Sequence, residues 1–332
     1  MGKIPLITVS GTNYDIGFLI GSKLKKDIKF IVDSLIDKNL SKKKLDSYLT
    51  KSKKYLDYTN AYFPNLINEL KGMSDGSGVS FDKLFLLNLE ELFLDYERCT
   101  SIVLRDRNKI FLYNNEDFDK IFNNRLAIVN VKLNSGVNFL SIGFPGLLLG
   151  SSVSINSYNL IQAINSLCPK DNRLGVPKNF IARAILECKN INDAINLIAR
   201  DNRASGYNHV LIQEDQIINI ECTAKNYFVS IPDDLLIYTN HYVFSSFKDA
   251  EKLKNSIGRY NYAKKTLNSH KLNKDLIKKV IGSHDKKYPI CDHGNKKSNS
   301  CTLASIFIDC KTLKMCVSNG NVCKNKYNEY SL

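Results

Sequence analysis

Apolar residues recur at three and four spacing through Ile16, Ile20, Leu24, Ile28, Ile31 and Leu35, and again from Leu45, Leu49, Tyr55, Tyr58 and Tyr62 to Leu70. That period predicts amphipathic helices over most of the first hundred residues. Gly72, Gly76 and Gly78 read as the close of the run, and Ser80 as the N-cap of a further helix carrying Leu84, Leu87, Leu89, Leu92 and Phe93. At Cys99 the pattern shortens to β-rich runs. Cys99–Leu104, a turn over Arg105–Lys109 and a second run from Ile110 to Asp117 form a predicted hairpin. Runs at 126–133, 137–144, 151–155 and 160–165 extend it into a meander. Helices return at 177–187 and 191–199, strands at 209–213 and 216–222 with a further pair reaching Tyr238, then helices at 247–267 and 272–281 and a last hairpin at 302–309 and 315–318. No linker or repeat divides these blocks, so the pattern predicts one α+β domain: helices outside antiparallel sheets, preceded by a mainly helical segment.

Composition changes this picture little. The chain has 332 residues, 43% hydrophobic and 24% charged, enough to bury a large core. Its formal charge of +14 comes mostly from lysines on the helical stretches and is accompanied by no nucleic-acid-binding motif, so no nucleic-acid partner is expected. The longest apolar stretch, 139–150, is far shorter than a membrane span, and the first ten residues make a poor secretory signal. Nine cysteines without a C-x-x-C pair suit reduced thiols, and the expectation is a cytoplasmic protein without membrane association.

Cys99 stands where helix gives way to the first strand and is followed by Thr100 and Ser101. A buried strand cysteine and a nucleophile are both consistent with that position. Asp117, eighteen residues on at the far end of the hairpin, could return to orient an amine or thiol, or serve as ordinary turn chemistry. Asn240 and His241 follow an apolar run, the amide suited to an oxyanion and the imidazole to a base. Cys99, His241 and an acid would satisfy a papain-like set in composition. Cys291, His293 and Cys301 are metal-capable types, but their spacing fits no common zinc pattern, and neither a metal nor a cofactor is expected. The glycines at 72–78 match no phosphate-binding loop.

Taken together and in order, several segments resemble the acyl-coenzyme A:6-aminopenicillanic acid acyltransferase family, peptidase family C45, of the N-terminal-nucleophile (Ntn) hydrolases. They are Gly11–Gly17 with Gly21, Tyr62–Pro64 through Glu69–Val79, Cys99-Thr-Ser, Asn115-Glu-Asp-Phe, Gly175-Val-Pro with Arg183, Thr239-Asn-His-Tyr, Ser256 to Arg259, Thr302–Ser305 and Ser318-Asn-Gly320. The resemblance implies a four-layer αββα sandwich and a precursor that cuts itself between Arg98 and Cys99. An α chain of residues 1–98 and a β chain of residues 99–332 would then stay associated as one structural domain. It implies Cys99 as nucleophile, Asp117 as the acid that positions its amine and Asn240 as the oxyanion donor. Asn115, His241, Thr302 and Ser305 would line the site. The implied activity is hydrolysis or transfer of the acyl group of a small amide or thioester through a Cys99 acyl-enzyme. Arg98 stands where the family commonly has Gly, and Asn114 where ceramidase-like and bile-salt-hydrolase-like members resemble Arg, which favours the acyltransferase branch. Two alternatives are an uncleaved Cys/His hydrolase using His241 and an inactive relative that binds acyl ligands. Association into a homo-oligomer is left open.

Overall fold

The computed structural model describes residues 2–89, 98–249, 253–294 and 299–332, and of Arg98 the backbone alone. Strand β1 (Leu6–Gly11) leads into helices α1 (Asn13–Lys23), α2 (Lys25–Val32), α3 (Lys42–Tyr62), α4 (Pro64–Ser77) and α5 (Phe81–Leu87). Six strands follow: β2 (Arg98–Asp106), β3 (Lys109–Asp119), β4 (Ala127–Leu133), β5 (Asn138–Gly143), β6 (Ser154–Asn156) and β7 (Ile161–Ser166). Helices α6 (Lys178–Ile185) and α7 (Ile191–Ile198) precede β8 (Tyr207–Gln213), β9 (Gln216–Cys222), β10 (Tyr227–Ser230) and β11 (Leu235–Tyr238). Helices α8 (Lys254–Asn268) and α9 (Lys274–Ile281) precede β12 (Ser300–Asp309), β13 (Lys314–Asn319) and β14 (Tyr327–Tyr330).

The strands form two sheets, one in the order β1-β4-β5-β6-β7-β8-β9-β10 and one in the order β11-β2-β3-β12-β13-β14. They meet face to face where β2 crosses β7, with α8 and α9 on the outside of the smaller sheet and α1 and α7 against the larger. This is the four-layer αββα arrangement. Covering both faces explains why β3 is buried from Ile110 to Phe118 and reads as a continuous apolar and polar run, without the alternation of a half-exposed strand.

Three readings of the sequence change. Leu6–Gly11 is a strand that pairs in parallel with β4, so the larger sheet is not wholly antiparallel and the helical segment is stitched into it from its first turn. Gly72 and Gly76 lie inside α4; only Gly78, at φ +70°, ends it. The reason is a close helix crossing. A Cβ on Gly17 would fall 1.8 Å from the Glu69 carbonyl oxygen, and one on Gly72 2.0 Å from that of Tyr14, so α1 and α4 touch backbone to backbone. Finally, the helix expected over 247–267 begins only at Lys254. Of the helix expected from Ser80, the part carrying Leu92 and Phe93 lies outside the described residues.

The start of α1 is fixed by Thr12, whose hydroxyl accepts from the Asp15 N–H while the Asp15 carboxylate accepts from the Thr12 N–H. A buried ion pair ties α4 to α6. Arg183 Nη2 lies 2.7 Å and Nε 3.0 Å from the two Glu69 oxygens, both side chains being wholly buried, and Asn13 donates to the same carboxylate at 3.1 Å. Removing one partner strands the other charge in the core. Glu69→Ala should therefore lower unfolding free energy by about 3–5 kcal/mol in chemical denaturation. A change below about 1 kcal/mol would show that the pair does not hold the helical segment to α6.

Candidate active site

The site is built on the β2–β3 hairpin. A tight two-residue turn, Arg107-Asn108 with Arg107 at φ +53°, joins partners Asp106 and Lys109, and the register then places Cys99 opposite Glu116 and Arg98 opposite Asp117. Directly opposed residues share a face and successive ones alternate. Cys99, Glu116, Ser101 and Asn114 therefore share the face toward the larger sheet, where the Ser101 hydroxyl donates to Asn114 Oδ1 at 2.6 Å and also lies 2.9 Å from Asn165 Oδ1 on β7. Asp117, Asn115 and Thr100 lie on the other face, joined by Thr302 and Ser305 from β12 across a bulge between Thr302 and Ala304.

The Cys99 thiol is fully buried and donates to Glu116 Oε2 at 3.5 Å. Burial pushes the Glu116 carboxyl up to about 7, against hydrogen bonds from Cys99 and Asn114 that hold it down. Asp117 is likewise raised to about 7 by burial, opposed by the Arg259 guanidinium and by Thr302. Its Oδ1 accepts from Thr302 Oγ1 at 2.5 Å. Thr302 Oγ1 in turn accepts from the Asp292 N–H at 2.8 Å. Ser305 donates to Asn115 Oδ1 at 2.6 Å, and the Asn115 amide donates at 2.9 Å to the carbonyls of Ile281 and Ile290. Asn115 and Ser305 thus anchor the end of α9 and the loop beyond it.

Arg259, on α8, joins the strand to Asn240. Its Nη1 donates to the Cys99 carbonyl at 2.7 Å and to Thr100 Oγ1 at 2.6 Å, and its Nη2 to Asn240 Oδ1 at 2.7 Å. A guanidinium only donates, so this contact fixes which end of the Asn240 amide is oxygen. Nδ2 then faces away, giving one N–H to the Ser166 carbonyl at 3.1 Å and keeping a second. The backbone N–H of Asn240 donates to Ser256 Oγ at 2.7 Å. His241 Nδ1 lies 2.8 Å from Ser256 Oγ and 3.1 Å from Thr239 Oγ1, and burial followed by Arg259 pushes its imidazole down to about 4. At neutral pH it is an uncharged ring held by two hydroxyls.

The structure thus brings Cys99, Asp117, Asn240, Thr302, Asn115 and Ser305 around one strand pair and turns His241 to its own hydroxyl cluster. Two residues were given no role by sequence reasoning. Glu116 is revealed by the register: with the turn centred on Arg107-Asn108 it, and not Asp117, is the carboxylate opposite the thiol. Arg259 was visible as the end of Ser256–Arg259, a spacing that one helical turn converts into a shared face.

A thiol on an inner strand of a four-layer αββα sandwich is the arrangement expected of the N-terminal-nucleophile hydrolases. Within that class, the family described as acyl-coenzyme A:6-aminopenicillanic acid acyl-transferase matches residues 103–322, and the chain belongs to that family. The match begins just after Cys99 and contains Asp117, Asn240, Arg259, Thr302 and Ser305. The chain is also similar to the beta-alanyl-dopamine/carcinine hydrolase of Drosophila melanogaster, 28% identical over 225 residues that cover 59% of this chain and 57% of that protein. Among solved structures, the conjugated bile acid hydrolase of Clostridium perfringens aligns over 70% of this chain and 97% of its own at 10% identity, with a TM-score of 0.45. The penicillin V acylase of Agrobacterium tumefaciens aligns over 67% and 82% at 8% identity, with a TM-score of 0.43.

Proposed function

We propose that this protein is a cysteine amidohydrolase or acyltransferase that releases its own nucleophile by cleaving the bond between Arg98 and Cys99, then handles small N-acyl amines or thioesters through a Cys99 acyl-enzyme. The observation that carries the proposal is the Arg259 fork, which joins the Cys99 carbonyl to Asn240 Oδ1 and so holds the Asn240 amide, an N–H donor, next to the strand that carries the thiol. Family membership and the name of the beta-alanyl-dopamine relative, an N-acyl amine hydrolase, point to the same chemistry.

In the uncut chain the backbone nitrogen of Cys99 is an amide and cannot act as a base. Glu116, in contact with the thiol and raised to about 7, is the group able to accept its proton as sulfur attacks the Arg98 carbonyl carbon. Breaking the C–N bond gives a thioester and a free amine, and water hydrolyses the thioester to leave residues 1–98 and 99–332. Asp117, opposite Arg98 and held by Thr302, is positioned to orient the new amine. That amine, with an ordinary pKa of about 7.7–8.0, then serves as base for the thiol of about 8.5 and later protonates the leaving amine. The two chains remain together through the β1–β4 pairing and the Glu69–Arg183 pair. Nine free cysteines suit a cytoplasmic location, and the partner is a small acyl substrate.

A panel of N-acyl amines and thioesters tests the reading, with release of the acyl product as readout. Asn240→Ala should lower kcat by about 10²–10³-fold, the usual cost of one oxyanion donor. Unchanged kcat would remove Asn240 from the chemistry and the Arg259 fork with it.

A further inference from the structure

The loop between α9 and β12 and the loop between β13 and β14 bring together His284, Cys291, His293 and Cys323, four residues outside the site described above, with one donor atom from each within 4.8 Å of the others. Two are the residues whose sequence spacing fits no zinc pattern; the fold omits Cys301 from the set and supplies His284 and Cys323 from either side. We propose that these four side chains form a tetrahedral Cys2His2 site for a structural zinc ion.

The distances suit that ion. Tetrahedral zinc with Zn–S near 2.3 Å and Zn–N near 2.0 Å separates two sulfurs by about 3.8 Å and a nitrogen from a sulfur by about 3.5 Å. Cys291 Sγ lies 3.8 Å from Cys323 Sγ, and His293 Nε2 lies 3.2 Å from Cys323 Sγ. The surroundings also have the form that supports metal ligands. His284 Nδ1 lies 3.1 Å from the Cys291 carbonyl oxygen, which can only accept, so Nδ1 carries the proton and Nε2 holds the lone pair. The Asn321 amide points at Cys291 Sγ from 3.4 Å, a donor suited to a thiolate, and also donates to the Asp292 carbonyl at 2.9 Å. Two thiolates and two imidazoles select zinc over the hard cations, which take oxygen ligands.

The ion would close a loop that the active site leans on. Asp292, between two of the ligands, exchanges two hydrogen bonds with Thr302: its N–H donates to Oγ1 and its carbonyl accepts from the Thr302 N–H, both at 2.8 Å. The Asn115 amide holds the carbonyls of Ile281 and Ile290 on the same loop. Zinc would thus fix the backbone that positions Thr302 against Asp117. The inference is independent of the acyl chemistry and is tested without it.

The test is metal content by mass spectrometry of the full chain purified without added metal and dialysed against a weak chelator. Cys323→Ser and His293→Ala suit it because both residues are exposed on the loops and their loss leaves the core packed. About one zinc per chain is expected in the unmutated protein, falling at least about tenfold in either variant, with Cys316→Ser, outside the cluster, retaining it. Cobalt-loaded protein should show the charge-transfer and intense visible bands of tetrahedral bis-thiolate coordination, lost in both variants. Chelation should also expose the loop at Lys286 and Lys287 to trypsin, with release of the metal preceding cleavage. The proposal fails if zinc binds the unmutated chain no more tightly than the variants, if iron or nickel is found instead, or if Cys291 and Cys323 are recovered as a disulfide.

Discussion

Replacing Cys99 by Ala should leave the chain as a single unbroken polypeptide and reduce acyl release by about 10⁴-fold or more, the scale on which loss of a nucleophile acts. The thiol is the group proposed both to attack the Arg98 carbonyl and to carry an acyl group afterwards, so one substitution should remove both events. Sulfur removal leaves the surrounding network standing, because Arg259 binds the Cys99 backbone carbonyl and Asn114 still donates to Glu116. Denatured intact mass checks the first outcome: two chains separating between residues 98 and 99 in the unmutated protein, one chain in the variant. A side chain at Arg98 in place of the commoner Gly makes the rate of that cleavage informative, and Arg98→Gly should leave the cut where it is. Activity that persists in an uncut chain and disappears in His241→Ala would transfer the chemistry to a thiol–imidazole pair. The low basicity of His241 opposes that outcome, since burial and Arg259 push its imidazole down to about 4, a weak base for a thiol of ordinary pKa about 8.5.

What the sequence made legible follows from the range over which each signal acts. Helical and strand periods are local, and they located the hairpin, the meander and the Lys-rich helices. The resemblance nominated Cys99, Asp117 and Asn240 as candidates because short motifs kept their order along the chain. Register is not local: a turn read as Arg105–Lys109 closes Leu104 on Ile110 and sets Asn115 opposite Cys99, and the two-residue turn shifts the pairing by one so that Glu116 faces the thiol. Gly72 and Gly76 looked like breakers because nothing in a linear pattern shows that Gly17 and Gly21 will lie against them. β1 escaped because six residues of mixed polarity preceding a long helix carry little period of their own, and their partner, β4, lies more than a hundred residues away. The Cys291–His293 fragment was unreadable partly for the same reason, since Cys323 lies on another loop, and partly because His284 stands seven residues before Cys291 on its own loop, at no common zinc spacing.

The register has a consequence for pH. Glu116 and Asp117 both carry folded pKa values of about 7, against ordinary values of 4.5 and 3.8, because burial disfavours their charged forms. A carboxyl raised in the fold binds its proton more tightly there than in the unfolded chain, so between those limits the native state holds more protons and stability falls as pH rises. The penalty is absent below about pH 4, grows through about pH 7 and is constant above. Integrated from about pH 5 to about pH 8, each group contributes roughly 2–3 kcal/mol, the two being coupled because the Glu116 charge helps to raise Asp117. In urea unfolding of the uncut Cys99→Ala chain, Glu116→Gln and Asp117→Asn should each remove a comparable share of this decline, and the double variant should no longer fall with pH, since the lowered His209 and His241 add stability as pH rises towards about 6.5 and outweigh the raised Asp249. A decline that survives in the double variant would place the titrating groups elsewhere. The same shift suits the role proposed for Glu116 in the uncut protein: an ordinary glutamate is too weak a base to take a thiol proton near neutrality, whereas one raised to about 7 is matched to the task. Self-cleavage of the unmutated chain should accordingly speed up as pH rises through about 7, and Glu116→Gln should slow it and abolish that step in the profile.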